Sequence, residues 1–322
     1  MPRQPRIDLP GYLYHVIARG IERRKIFLNK RDCEDFLSRL GQCLEKTGSR
    51  CLAYSLLGNH FHLLILRGQR PLATLMSRLM TGYAVNFNLR HRRAGHLFQN
   101  RYKAIMCEFD SYFLELVAYI HLNPLRAGLV EDLKGLREYR WCGHGALMGE
   151  GEADFLAKED ILGHFGDNLR AARRKYESFI RERVGKYKRG ELSAGGLRRS
   201  RGVTSIRYSW KEGEKELWDE RILGGGDFVE SVLRAGEKEE KQVRISLQKV
   251  VEIVGAKTGV GIEEIKSRSR IRNVVKARAL YCYLAKEMSG VSGRELMGEL
   301  RLTSGAISHL VSRGARVLPA GK

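Results

Sequence analysis

From residue 51 to residue 66 the chain reads "CLAYSLLGNHFHLLIL", two apolar segments parted by Gly58 and Asn59. The Gly58-Asn59 pair is a turn signal, so its place between two β-favouring runs marks a hairpin with strands over residues 51–57 and 60–66. Upstream lie a strand, "YLYHVIARG" at residues 12–20, and a helix in which Cys33, Phe36, Leu37, Leu40, Cys43 and Leu44 recur at helical spacing. Downstream come a helix with Pro71 in its first turn, "PLATLMSRLMTGYAVNFNLRHR", and a short extended piece, "YKAIMCEF". Strand, helix, strand, strand, helix, strand is the order of a split βαβ, so a ferredoxin-like α+β sheet is expected for residues 1–147. A further helix, "DSYFLELVAYIHLNP", is expected to be capped by Asp110 or Ser111 and broken at Pro124.

Residues 148–242 read as a basic helical connector followed by a linker, with the glycine, serine and arginine content of a mobile segment in "ELSAGGLRRSRGVTS". The run "RAARRKYESFIRERVGKYKR" is expected to be a solvated face. Helical periodicity returns over residues 243–318, which are expected to form a helical DNA-binding domain. There Ser292 is expected to cap one helix, "LRLT" to turn, and Thr303 or Ser304 to cap a second that exposes Ser308, His309 and Arg313, a helix-turn-helix.

Lysine and arginine number 58 against 37 acidic residues, a formal net charge of +21. Such an imbalance marks a partner for polyanions, with nucleic acid ahead of an anionic membrane surface. No segment reaches the roughly 18 consecutive apolar residues of a membrane span, and the N-terminus lacks a signal-peptide core, so a cytoplasmic, nucleoid-associated protein is expected. Six cysteines without a C-x-x-C pair are expected to be free thiols, which argues against a zinc finger or a zinc deaminase.

Residues two apart on a strand share a face, so His60 and His62 present two imidazoles side by side while Phe61 packs on the other face. The spacing alone fits a pair of core histidines as well as a pair of metal ligands. Farther along, "LRHRRAGHLFQNRYK" interleaves Arg90, Arg92, Arg93, Arg101 and Lys103 with His96, Phe98 and Tyr102. Cations that follow a backbone and flat rings that stack on splayed bases are how single strands are held, and Arg19 extends the same surface.

The H-x-H strand on this sheet, together with "YHVIARG", "GHLFQNRYKAI" and "YIHLNPLRAGLV", resembles the HUH single-strand nucleases and transposases. Within them it resembles the REP-associated tyrosine transposases of the single-tyrosine, insertion-sequence-200-like family. The resemblance implies that His60 and His62 are metal ligands, Asn123 the third ligand and Tyr119 the nucleophile. It also implies a Mg²⁺ or Mn²⁺ ion, single-stranded and hairpin-bearing DNA as substrate, a covalent 5′-phosphotyrosine with a free 3′-hydroxyl, and ATP-independent strand exchange. From the residues alone, Tyr102 and Tyr112 compete with Tyr119, and Asn123 could instead cap the helix beside Pro124. His121 reads as an orienting or packing residue and His15 as a core histidine, neither of them a ligand.

The C-terminal segment, through "SRSRIRNVVKARALYCYLAKEMSGVSGRELMGEL", resembles the DNA-binding domain of the bacterial replication initiator. That implies phosphate contacts from Arg268, Arg270, Arg272, Lys276 and Arg278 to duplex DNA. "TSGAISHLVSR" departs from the initiator's base-reading helix, so the site it reads does not carry over. The expected activity is therefore that of a metal-dependent transposase and strand transferase, with a relaxase or rolling-circle nickase, or a domesticated DNA-binding regulator, as the competing readings. Monomer and homodimer are both compatible with the sequence.

Overall fold

The computed structural model describes residues 6–186, 219, 221–242, 245–289 and 291–315, which include every catalytic candidate; the expected linker "ELSAGGLRRSRGVTS" lies outside the described residues. The chain divides into two compact units, Met1–Gly236 and Glu237–Lys322.

In the first unit β1 (Leu13–Arg19) leads to α1 (Lys30–Thr47), the hairpin β2 (Arg50–Leu57) and β3 (His60–Leu66), α2 (Leu72–Arg90) and β4 (Lys103–Cys107). Local chemistry sets the ends of these elements. Asn29 and Asp32 form a reciprocal capping box at the start of α1, and Gly48 ends it in the left-handed conformation that glycine adopts without a Cβ penalty. β3 pairs antiparallel with both β1 and β2, and β4 pairs antiparallel with β1, so the order β2-β3-β1-β4 is the split βαβ expected from the sequence. A two-residue β5 (Ile222–Leu223) adds a parallel edge beside β4.

The sheet is apolar on both faces. Phe61 meets Phe36 of α1 at a 4.7 Å ring distance, in a cluster with Phe27 and Tyr83. The opposite face carries His15, His62 and Ser55, and against it lies α3 (Phe109–His121), followed by the short α4 (Asn123–Arg126). The α3 helix starts after Glu108 with no side-chain cap, so neither Asp110 nor Ser111 closes it: Phe109 is already helical, two or three residues earlier than the polar pair suggested. Its stop falls before Pro124, as the fixed φ and missing N–H of proline require.

Beyond residue 147 the core continues. After α5 (Leu133–Glu138) and α6 (Gly143–Met148), the segment holding α7 (Lys158–Leu162) and α8 (Leu169–Arg181) buries Ala153, Leu156, Ile161, Ala172, Tyr176 and Ile180 in the same cluster as the sheet. The start of α9 (Gly226–Gln242) adds Val229 and Val232. Part of the stretch read as a connector is therefore core: the basic residues of α8 mask an apolar stripe at positions 172, 176 and 180, one per helical turn.

The second unit packs α10 (Leu247–Thr258), α11 (Ile262–Lys266), α12 (Arg272–Met288), α13 (Gly293–Leu300) and α14 (Ser304–Gly314) around Val250, Val254, Leu280, Leu284, Leu296 and Ile307. Ser292 and Glu295 make a capping box, Thr303 caps α14, and Ser308, His309 and Arg313 are exposed, the helix-turn-helix expected from the sequence. A Cβ on Gly314 would stand 2.0 Å from the Ala279 carbonyl oxygen, so only glycine permits this approach of α14 to α12. Among the described residues no helix is long and apolar enough to cross a membrane. All six cysteines are buried free thiols.

Candidate active site

A cleft of about 620 Å³ opens over the histidine face of the sheet. Strand register builds it. Arg19 stands opposite His60, and Ile17 stands opposite both His62 and Lys103, so these side chains share one face. Tyr119 comes down from α3 and Asn123 and Arg126 from α4, while Arg23, Gln99, Asn100 and Arg101 complete the rim.

Each imidazole is held through Nδ1. His60 Nδ1 lies 2.6 Å from Asn59 Oδ1, and Asn59 is itself oriented by donating from Nδ2 to the Arg23 carbonyl at 3.0 Å. That oxygen only accepts, so His60 Nδ1 donates in this contact, and in the neutral ring Nε2 is then the lone-pair nitrogen. His62 Nδ1 lies 2.9 Å from Nε2 of His15, which is fully buried on β1. When His62 donates in this bond, its Nε2 is likewise a lone-pair donor. Burial, then the neighbouring histidines, depresses the His62 pKa well below the usual imidazole value and keeps it neutral.

Tyr119 is 2% exposed, with its ring 6.1 Å from that of His62 and 5.9 Å from that of His15. The Arg126 guanidinium lies 4.2 Å over the Tyr119 ring and donates to the Tyr119 carbonyl and, at 3.2 Å, to Asn123 Oδ1. Asn123 Nδ2 is buried without a hydrogen-bond partner among the described residues.

Among the described residues no three of His, Cys, Asp and Glu are placed to hold a metal. A cation here therefore depends on an amide beside the two imidazoles. His60, His62 and Asn123 line the same cleft, and the second lone pair of Asn123 Oδ1 remains for a ligand while Arg126 uses the first.

Of the remaining sequence candidates, Arg19, Arg101 and Lys103 line the cleft, while Arg92, Arg93 and His96 lie off it. Three are used elsewhere. Arg90 ion-pairs with the fully buried Asp32 at 2.5 Å and with Asp35. Phe98 packs between Phe61 and Tyr83. Tyr102 is buried, with Arg6 stacked on its ring at 3.8 Å. In the second unit Arg268, Arg270, Arg272 and Lys276 are exposed, but Arg278 is buried, which removes it from the phosphate contacts. Sequence reading passed over Arg126 and assigned His15 to packing. The signal for Arg126 is its place three residues after Asn123; for His15 it is the strand register, which only pairing reveals.

Residues 9–123 match the family model described as Transposase IS200 like. That match lies within the first unit. A solved structure described as the REP associates tyrosine transposase bound to a REP hairpin is similar over 46% of this chain and 86% of its own, at 14% identity and a TM-score of 0.40. Residues 247–300 match the bacterial dnaA protein helix-turn-helix. The chromosomal replication initiator proteins DnaA of Campylobacter curvus (strain 525.92) and Campylobacter concisus (strain 13826) are 31% and 32% identical to this chain over 88 residues. Those segments are 27% of this chain, which spans about a fifth (20%) of the length of these relatives.

Proposed function

We propose that this protein is an HUH-type DNA transposase and strand transferase that cleaves and rejoins single-stranded, hairpin-bearing DNA through a covalent phosphotyrosine on Tyr119. One observation carries the proposal: two imidazoles oriented through Nδ1 and the ring of a single tyrosine converge in one basic cleft. The transposase family of residues 9–123 supports it. Mg²⁺ or Mn²⁺ held by His60, His62 and Asn123 would neutralise the scissile phosphate oxygens, whose charge otherwise repels a nucleophile. Tyr119 Oη forms a bond to phosphorus as the bond to the 3′ oxygen breaks, and the phenolic proton leaves to solvent. The 5′-phosphotyrosine keeps a phosphoester bond, so a 3′-hydroxyl can return and reseal the strand without ATP. Arg126 fixes the plane of the tyrosine ring and holds a cation beside the reacting charge. Arg19, Arg23, Arg101 and Lys103 follow the strand backbone along the cleft. The second unit is proposed to hold duplex DNA, on the match of residues 247–300 and the exposed Arg268, Arg270, Arg272 and Lys276.

The test is to incubate the full chain with a labelled single-stranded hairpin oligonucleotide in Mn²⁺, denature, and map the modified peptide by mass spectrometry. DNA attached at Tyr119 is the expected result. A free 5′-phosphate with no attached protein would make this a metal-dependent nuclease.

A further inference from the structure

Arg278 is a cation in the wrong place for a salt bridge. It sits on α12, 8% exposed, and makes no ion pair among the described residues. Its partners are three backbone carbonyls, one at the end of α11 and two in the turn between α11 and α12: Nε donates to Ile265 at 2.7 Å, Nη2 to Ser267 at 2.6 Å and Nη1 to Ser269 at 3.2 Å. A buried charge without a counter-ion is costly, and an apolar side chain of similar volume fills such a position more favourably. Packing therefore does not explain the arginine.

The loop does. Carbonyls of alternate residues turn inward onto one planar fork, and the intervening and following side chains, Arg268 and Arg270, are exposed, as are Arg272 and Lys276. Serines staple the same path: Ser269 N donates to Ser267 Oγ at 3.1 Å, and Ile271 N to Ser269 Oγ at 3.3 Å. Five cations thus crowd one corner of the unit. The neighbouring carboxylate of Glu299 is already engaged by Lys266 at 3.1 Å and by the Tyr281 hydroxyl at 2.9 Å. Held rigid against their mutual repulsion, the exposed arginines form a surface whose natural complement is a row of phosphates.

We propose that Arg278 is a positioning residue for duplex DNA: from inside the fold it holds the α11–α12 loop in the shape that lets Arg268, Arg270 and Arg272 grip phosphates together. The inference rests on the duplex-binding role proposed for the second unit and not on the chemistry of the cleft. It separates two contributions that look alike in sequence, since Arg278 supplies shape while its neighbours supply charge.

The experiment is equilibrium binding of the full chain to a fluorescein-labelled, mixed-sequence 30-base-pair duplex, read by anisotropy across a sodium chloride series and with no cleavage step. Replacing three gripping arginines (Arg268→Ala, Arg270→Ala and Arg272→Ala together) should lower the slope of log affinity against log salt by about 2 to 3, at ~0.9 per phosphate. Arg278→Met should reproduce most of that loss and add little on top of the triple change, because both act through the same loop. Arg278→Lys keeps the charge, but one ammonium cannot hold three carbonyls, so it should behave like Met. Should the Met variant fail to fold, as judged by far-ultraviolet circular dichroism, the Lys variant decides. A folded Lys variant with the wild-type slope would leave charge, not positioning, as the role. A triple variant that binds the duplex as wild type does would remove the loop from the interface and overturn the proposal outright.

Discussion

His15 Nε2 and His62 Nδ1 stand 2.9 Å apart, 47 residues distant in sequence, in the buried face of two neighbouring strands. An imidazole that coordinates through one nitrogen has its ring fixed by what the other touches, and here that partner is a second histidine. His15→Phe keeps a flat ring in the core but removes the nitrogen that His62 Nδ1 meets. Its expected effect is a Mn²⁺ affinity weaker by about 10- to 100-fold in calorimetry, with cleavage recovering at higher Mn²⁺. The direct ligand changes, His60→Ala and His62→Ala, should abolish both. Unaltered Mn²⁺ affinity in a folded His15→Phe protein would return His15 to simple packing.

Arg126 touches the proposed nucleophile and the proposed third metal donor at once, through the Tyr119 ring and carbonyl and through Asn123 Oδ1. Arg126→Gln should slow formation of the protein–DNA adduct by about 100-fold, the scale of losing one pre-aligned donor at a reacting centre. Binding of the uncleaved strand should fall far less, because one cation among several in the cleft is lost. Tyr119→Phe should abolish the adduct while shifting the melting temperature by only a few degrees, since the ring and its stacking remain. Equal losses of binding and adduct rate in Arg126→Gln would mark the arginine as a phosphate contact alone.

The buried trio His121, Tyr176 and His144 gives the first unit a pH dependence of definite sign. His121 Nδ1 and His144 Nδ1 lie 2.8 Å and 3.0 Å from the Tyr176 hydroxyl. Burial holds His121 well below the usual imidazole value and His144 at about 4. The unfolded chain, with histidines near 6.5, binds protons more readily than the fold, so this stability is complete above pH ~6.5 and drains as pH falls toward 4. A melting series from pH 7.5 to 4.5 should show a steady decline, each histidine contributing about 1.4 kcal/mol per pH unit. His144→Phe should flatten the decline. Asp32, whose carboxyl the His91, Leu28 and Arg90 contacts hold below its ordinary value against the opposing effect of burial, acts only at still lower pH. A level melting profile across the series would mean that the trio takes up protons within the fold.

Much of this was legible because hairpin chemistry and helical periodicity are local. Gly58-Asn59 announced the hairpin, and β3 runs from His60 to Leu66 as read. What stayed illegible depends on contacts distant in sequence. Interleaved arginines and aromatic rings describe a single-strand groove and a core edge equally well, and only folding shows that Phe98 and Tyr102 face inward and that Arg90 answers the buried Asp32. Arg278 read as one more surface cation because nothing local reveals three carbonyls turning toward it. The strand register that brings His15 diagonally beside His62 is likewise absent from either strand alone.

The tie between α8 and α3 leads to the last prediction. Tyr176 reaches His121, two residues past Tyr119, and Arg183, just beyond α8, ion-pairs with Glu115, one turn before it. Ala172, Tyr176 and Ile180 fill the same core as the sheet. A protein ending at residue 147 loses these supports and exposes the apolar face they cover, so it should be insoluble or molten, without a cooperative melt. One ending at residue 242 keeps all of them and should melt cooperatively and form the Tyr119 adduct on a short oligonucleotide. Its affinity for a duplex should drop, since Arg268, Arg270 and Arg272 are gone. Sedimentation, thermal melting and adduct formation on the two truncations are the measurements. A 147-residue protein that folds and reacts would show that α8 braces nothing the chemistry needs, whereas a 242-residue protein that folds yet forms no adduct would place part of the active site in the second unit.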